Sequence, residues 1–285
     1  MSALSDQLVA YAILVYLIAM ISHAVEFALG NARKVPAAAP ARELVGAGVG
    51  GDAPRDHRAQ VHVAADRMPW GNMYEFVLTG TWIGVAAWLV VLWKQPWLRR
   101  LGLFLTLVMV LLLAFAELKL YVPIEPLMPA LQSWWFIIHV STIIFASGLF
   151  LLGVVPAAAY LMRAGWEQGR RSFPYTLARR LPAAAGLERL TFTLHAFSFP
   201  IFTFAVIAGA IWAEAAWGRA WGWDPKETWA FISWVVYAGY LHARATPSVK
   251  RNVATWISIV GFLTVMMNLF GVNFFFTGLH SYAGV

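Results

Sequence analysis

The sequence contains no cysteine, and only 12% of its 285 residues are charged, about half the share of an ordinary soluble domain. Without cysteine the chain has no disulfide, no thiolate metal site, no iron–sulfur cluster and no thiol nucleophile of its own. The scarcity of charge, with 60% hydrophobic residues and a mean hydropathy of +0.65, excludes an aqueous globule. It also excludes disorder, whose signature is low hydrophobicity. What remains is a polytopic membrane protein with room for about six to eight helices. No internal repeat is visible.

Seven apolar runs lie at about 8–29, 76–93, 100–116, 135–162, 192–213, 226–243 and 253–275. Most have the ~17–25 residues that cross a bilayer core as a helix. Helices are expected because an open strand leaves its backbone unsatisfied in lipid. The expected fold is therefore all-α: an integral membrane bundle of about seven transmembrane helices. The first run lacks the basic start and small-residue cleavage site of a secretory signal.

Basic residues suggest an orientation. Lys94, Arg99 and Arg100, then Arg163, Arg170, Arg171, Arg179, Arg180 and Arg189, then Arg244, Lys250 and Arg251 share one side if seven spans alternate. The short loops opposite hold only Lys119, Arg219 and Lys226. The excess of basic residues marks the cytoplasm, so the N-terminus is expected there and the C-terminus outside. Residues 1–30 then form the first transmembrane helix, 31–69 a flexible external loop rich in Ala, Gly and Pro, and 70–285 the membrane core. That loop fits the charge rule badly, since it carries Arg33, Lys34, Arg42, Arg55, Arg58 and Arg67. Topology accounts for the net charge of +7, and no nucleic-acid partner is expected.

Six of the fifteen tryptophans fall between Trp212 and Trp234. Asp224, Pro225 and Glu227 read as a helix start, with an Asp cap, proline in the first turn and a carboxylate reaching back. Segment 212–229 lies on the expected external side. The bland reading is an interfacial aromatic belt. Trp217, Trp221, Trp223 and Trp229, interleaved with glycine and closed by a charged cap, favour a flat platform for a large planar apolar ligand. Arg219 or Lys226 would neutralise carboxylates at its edge.

The run Trp217-Gly-Arg-Ala-Trp-Gly-Trp-Asp-Pro-Lys-Glu-Thr-Trp229 resembles the tryptophan-rich signature of the haem-handling proteins of cytochrome c biogenesis. The closest subgroup is the CcsA type, also called ResC, and CcsB in some bacteria. Gly71-Asn-Met-Tyr-Glu-Phe76, Val122-Pro, Pro129-Ala-Leu-Gln-Ser133, Gly209-Ala-Ile-Trp-Ala213, Tyr240-Leu-His-Ala-Arg244 and Gly278-Leu-His-Ser-Tyr282 fit the same pattern, covering about 68–285. The resemblance implies binding of haem b as a transferred ligand and its delivery for thioether attachment to an apocytochrome c Cys-x-x-Cys-His segment. It implies a Ccs1/ResB-type membrane partner, with thiol-reducing proteins as further candidates, in a bacterial cell membrane. Such a chain would form part of a cytochrome c synthase. Rival readings are an exporter of haem or another amphiphile, a b-type electron-transfer cytochrome, and a chaperone of the other cytochrome c assembly route.

Histidines inside a membrane are functional candidates by default, although one histidine is often only a packing residue. His139 lies about one turn into the fourth run and His280 follows the seventh, both at the level of the tryptophans. The resemblance makes them the two axial ligands of an external haem, with Asp224 and the tryptophans around it. His242 lies seventeen residues beyond Pro225, ~25 Å deeper. The resemblance makes it a ligand opposed by one from the partner; the bland reading is a histidine at a helix C-terminus. His195 would approach His242 as an in-chain alternative. His23, with Ser22 and Glu26, reads as packing, and His57 and His62 as solvated loop residues. Glu75 and Glu117 read as structural helix-end carboxylates. Asn268 and Asn273 are candidates to orient the His280 ring.

Overall fold

The computed structural model describes residues 2–29, 68, 71–122 and 129–280. The described residues form helices and connecting turns, with no strand among them. Helix α1 spans Ser2–Leu29, and α2 spans Met73–Lys94. A 3-10 turn at Pro96–Leu101 leads into α3, Gly102–Phe115, which ends in a π turn at Ala116–Leu120. Helices α4 (Trp134–Glu167) and α5 (Ala184–Trp217) are the longest. Helix α6 spans Pro225–Ala245. Helix α7 (Arg251–Met266) passes through a second π turn, Met267–Gly271, into the short α8, Val272–Phe275. His57, His62, Pro123 and Pro126 lie outside the described residues, as does most of 31–69.

Among the described residues, six helical stretches are long and apolar enough to cross a membrane: 11–28, 73–94, 96–120, 134–167, 184–217 and 251–275. The other expected span forms α6, whose 21 residues reach ~31 Å but include Lys226, Glu227, His242 and Arg244. The molecule is thus a polytopic helical membrane bundle.

Small residues allow its helices to approach. Gly148 of α4 lies against the backbone of Gly80 in α2, where an added Cβ would sit 3.1 Å from the Gly80 carbonyl oxygen. Fully buried Ala146 and Ala157 of α4 and Ala205 and Ala208 of α5 thin the interior elsewhere. A larger core joins Leu98, Leu101, Leu105 and Met109 to Leu152, Tyr160 and Leu187.

From α2 onward the helices alternate, giving the bundle two unlike ends. One gathers the basic connections at 94–101, 168–183 and 246–250. The other gathers the start of α2, both π turns, the α5–α6 connection and His280.

The contacts of α1 set its direction against the neighbouring helices. Ile13 packs with Met73, Tyr74, Ala116 and Leu120 at the histidine end. Phe27 meets Phe104 edge-on, and Arg180 donates to the carbonyls of Phe27 and Ala28 at the basic end. Helix α1 therefore runs antiparallel to α3 and starts at the end that holds His280. The end of α1 lies among the basic connections. His23 pairs with Glu26 at 3.4 Å and lies against Gly102, in keeping with its packing role.

Candidate functional site

Helix starts build the site's rim. The Asn72 side chain accepts from Glu75 N–H at 2.9 Å, and Glu75 accepts from Gly71 N–H at 2.7 Å, which caps α2. Asp224 and Glu227 form a reciprocal capping box on α6, so this helix begins at Pro225 as the sequence suggests. Glu227 Oε2 also accepts from Gly222 N–H at 2.8 Å, tying the preceding turn to the helix. Gly218 ends α5 at φ 70°, and Trp223 takes φ 57°, so the tryptophan-rich connection turns tightly. Glu75 and Glu117 are structural here, the latter accepting from Tyr74 Oη at 3.0 Å.

His139 and His280 line one cavity, together with Phe136, Phe202, Val206, Trp212, Trp221, Lys226 and Asn268. The cavity holds about 190 Å³, opens at one side and reaches inward to Ser147 and Val265. His139 Nδ1 lies 2.8 Å from the Ala205 carbonyl oxygen. His280 Nδ1 lies 2.8 Å from Asp224 Oδ1. A carbonyl and an ionised carboxylate only accept, so Nδ1 carries the proton in both neutral rings. Each lone pair is then on Nε2, which leaves that nitrogen able to bind a metal.

Both rings depend on close approaches that glycine permits. A Cβ on Gly209 would sit 2.7 Å from the His139 ring, and one on Gly278 2.5 Å from Asp224 Oδ2. The second approach lets Leu279 N–H donate to Oδ2 at 2.8 Å, which pins the C-terminal segment and His280 onto the cap of α6. Asp224 is only 6% exposed. Burial works against its ionisation, but hydrogen bonds from His280, Leu279 N–H and Lys226 N–H outweigh this and hold the carboxyl below its usual range.

Trp212, 1% exposed, joins the two histidines. Its ring centre lies 6.0 Å from that of His139, nearly parallel at 12°, and 6.0 Å from that of His280 at 64°. Trp217 packs edge-on against Trp212 at 4.8 Å and His280 at 5.0 Å. The flat four-tryptophan platform is not formed. Trp221 lines the cavity, whereas Trp223 stands at 89° to it and is 64% exposed. Trp229 is half-buried on the first turns of α6. The reason is local: the connection must turn to place the Asp224 cap, so successive indoles cannot share a plane.

The other candidates separate. His242 is exposed on the last turn of α6, at the basic end. His195 is fully buried, with Nδ1 2.7 Å from the Thr191 carbonyl oxygen and its ring among Phe150, Tyr237 and Tyr240. With His242 exposed and His195 enclosed, the in-chain alternative to a partner's ligand is not formed. Asn273 donates to the Leu269 carbonyl at 2.7 Å, and it is Asp224 that orients His280. Sequence reasoning read Trp212 only as the start of a motif and Asp224 chiefly as a cap. The Gly209-Ala-Ile-Trp212 run was the available signal, since glycine three residues before a buried tryptophan suggests a close approach on one helix face.

A helical membrane bundle with two tautomer-fixed histidines on one aromatic cavity matches the family model for cytochrome C assembly protein over residues 70–280, and the chain belongs to that family. Among its relatives is the cytochrome c biogenesis protein CcsA of Guillardia theta, 34% identical over 230 residues, covering 75% of this chain and 76% of that protein. The CcsA proteins of Trieres chinensis and Gloeobacter violaceus are 32% and 31% identical, each covering 77% of this chain and 79% and 80% of their own lengths.

Proposed function

We propose that this chain acts in c-type cytochrome maturation, holding haem b as a substrate between His139 and His280 and presenting it to an apocytochrome c. The single observation that carries this reading is the pair of Nδ1–H hydrogen bonds, His139 to Ala205 and His280 to Asp224, around one aromatic cavity. They fix two histidines, far apart in the sequence, in the form that offers Nε2 to iron. The cavity is open at one side and lined by aromatic and apolar side chains, and the CcsA relatives are named for cytochrome c biogenesis.

In this reading the chain supplies orientation and a dry aromatic wall. Each apocytochrome thiol adds across one haem vinyl group, forming a carbon–sulfur bond while the thiol hydrogen passes to the other vinyl carbon. The apocytochrome histidine replaces one of the two protein ligands. No external oxidant or reductant is needed for the addition. The site faces the outside of a bacterial cell membrane, and the basic end faces the cytoplasm. His242, exposed at that end, is a ligand for haem held jointly with a Ccs1/ResB-type partner.

The test is an absorption spectrum of the detergent-purified chain, expressed with and without that partner. A low-spin bis-imidazole spectrum that disappears in the His139→Ala, His280→Ala double variant supports the reading. A spectrum that survives in the double variant expressed without the partner sinks it.

A further inference from the structure

Lys226 is a buried amine that makes no ion pair among the described residues. It lines the cavity of His139 and His280, and its Nζ donates to two backbone carbonyls, Asn268 at 2.8 Å and Leu269 at 3.4 Å. Among the described residues no carboxylate forms an ion pair with it. The nearby Asp224 carboxylate is taken up by His280, Leu279 N–H and the backbone N–H of Lys226. An ammonium has three donors, so two carbonyls leave one over. Removing such a charge from water is costly unless an opposite charge joins it.

The surroundings are built around this group. The accepting carbonyls belong to the π turn Met267–Gly271, a local departure from α geometry that re-aims backbone oxygens. The Asn268 side-chain amide lines the cavity too, and its buried Oδ1 has no donor among the described residues. A half-turn about its last bond offers an N–H group instead. Arg219, the other cation of the connection, lies against the Gly222 backbone and is not among the cavity-lining residues. Glu227 lines the cavity too, and its buried Oε1 has no donor among the described residues.

Resting on the haem reading above, we infer that Lys226 and the Asn268 amide form a subsite for one carboxylate of the bound tetrapyrrole. The second carboxylate is left toward the open mouth. The ring's edge is thereby fixed, and the vinyl groups fall on the side of the iron away from Lys226. Lys226 is a positioning residue that orients the substrate and takes no part in bond formation.

The experiment titrates the full-length chain with haem and with haem dimethyl ester, whose carboxylates are neutral, following the Soret band. Wild type is expected to prefer haem by about 10- to 100-fold, the range of one hydrogen bond to a charged group. Lys226→Gln is expected to lose that preference while binding the ester as wild type does, which also shows that the variant is folded. Lys226→Arg is expected to retain most of the preference. Equal weakening of both ligands in Lys226→Gln, or an unchanged preference, overturns the subsite and leaves the haem reading standing. A wild-type chain that takes up neither ligand overturns both.

Discussion

Helices α4 and α5 present two histidine–glycine pairs in reciprocal arrangement. His139 of α4 lies against Gly209 of α5, and His195 of α5 lies against Gly153 of α4. Fourteen residues separate the pairs on each helix, ~21 Å along the axis. Both rings hold a backbone carbonyl through Nδ1, at 2.8 and 2.7 Å. Their surroundings differ. The His139 ring borders a cavity with Trp212 stacked beside it. Phe150, Tyr237 and Tyr240 close the His195 ring in, and Phe150 and Tyr237 stack on each other at 3.9 Å. The two rings thus share the same kind of hydrogen bond and differ in what borders them, a cavity for His139 and packed aromatic rings for His195.

The largest break in this comparison is expected from alanine at the cavity. His139→Ala or His280→Ala should each lower haem content of the purified chain at least tenfold, with partial recovery in added imidazole. His195→Phe should leave haem content unchanged. Haem loss in His195→Phe at unaltered thermal stability would erase the distinction.

Next come the glycines. Cβ atoms on Gly209 and Gly153 would meet the facing rings at 2.7 and 2.6 Å. Each alanine substitution should cost about 1–3 kcal/mol, read as a lowered Tm. Gly209→Ala should lose haem beyond its stability effect because it displaces His139, whereas Gly153→Ala should not. Equal haem retention at matched stability would argue against the cavity pair as the binding site.

A smaller effect is expected from Asp224→Asn, which keeps an N-cap and removes the carboxylate beneath His280. Haem affinity should fall about tenfold, and the iron potential should rise as the imidazole becomes a poorer donor. An unmoved potential would reduce Asp224 to a cap. The smallest effect is expected from Trp223→Ala, since that ring is mostly solvent-facing. Trp221→Ala, which alters the cavity wall, should lower haem retention more. The reverse order would restore the flat platform.

Much of the site was legible. The start of α6 followed from Asp224, Pro225 and Glu227, because capping chemistry is local. His139, His280 and Trp221 meet at one cavity because hydropathy put them at one level of the bundle. The packing of α1 was not legible because hydropathy counts runs, whereas the contacts of Ile13, Phe27 and Ala28 decide where a helix packs. The four tryptophans were read as one surface because spacing shows proximity along the chain but no ring planes. Trp223 at φ 57° and 89° to Trp221 departs from it.

The sequence by itself determined the solvent, the helical class, the family signature and the level of each histidine in the bundle. These depend on composition and short-range chemistry, and lipid leaves the backbone few alternatives. Only the tertiary structure decided which histidine faces space and which faces aromatic rings, and that Asp224 serves both the α6 cap and His280. It also left Lys226 facing the cavity beside two carbonyls. These features require segments distant in the chain to meet at specific rotations about their axes. Helix rotation is set by packing, through Gly209, Gly153 and Gly278, where the absence of a side chain admits the neighbour.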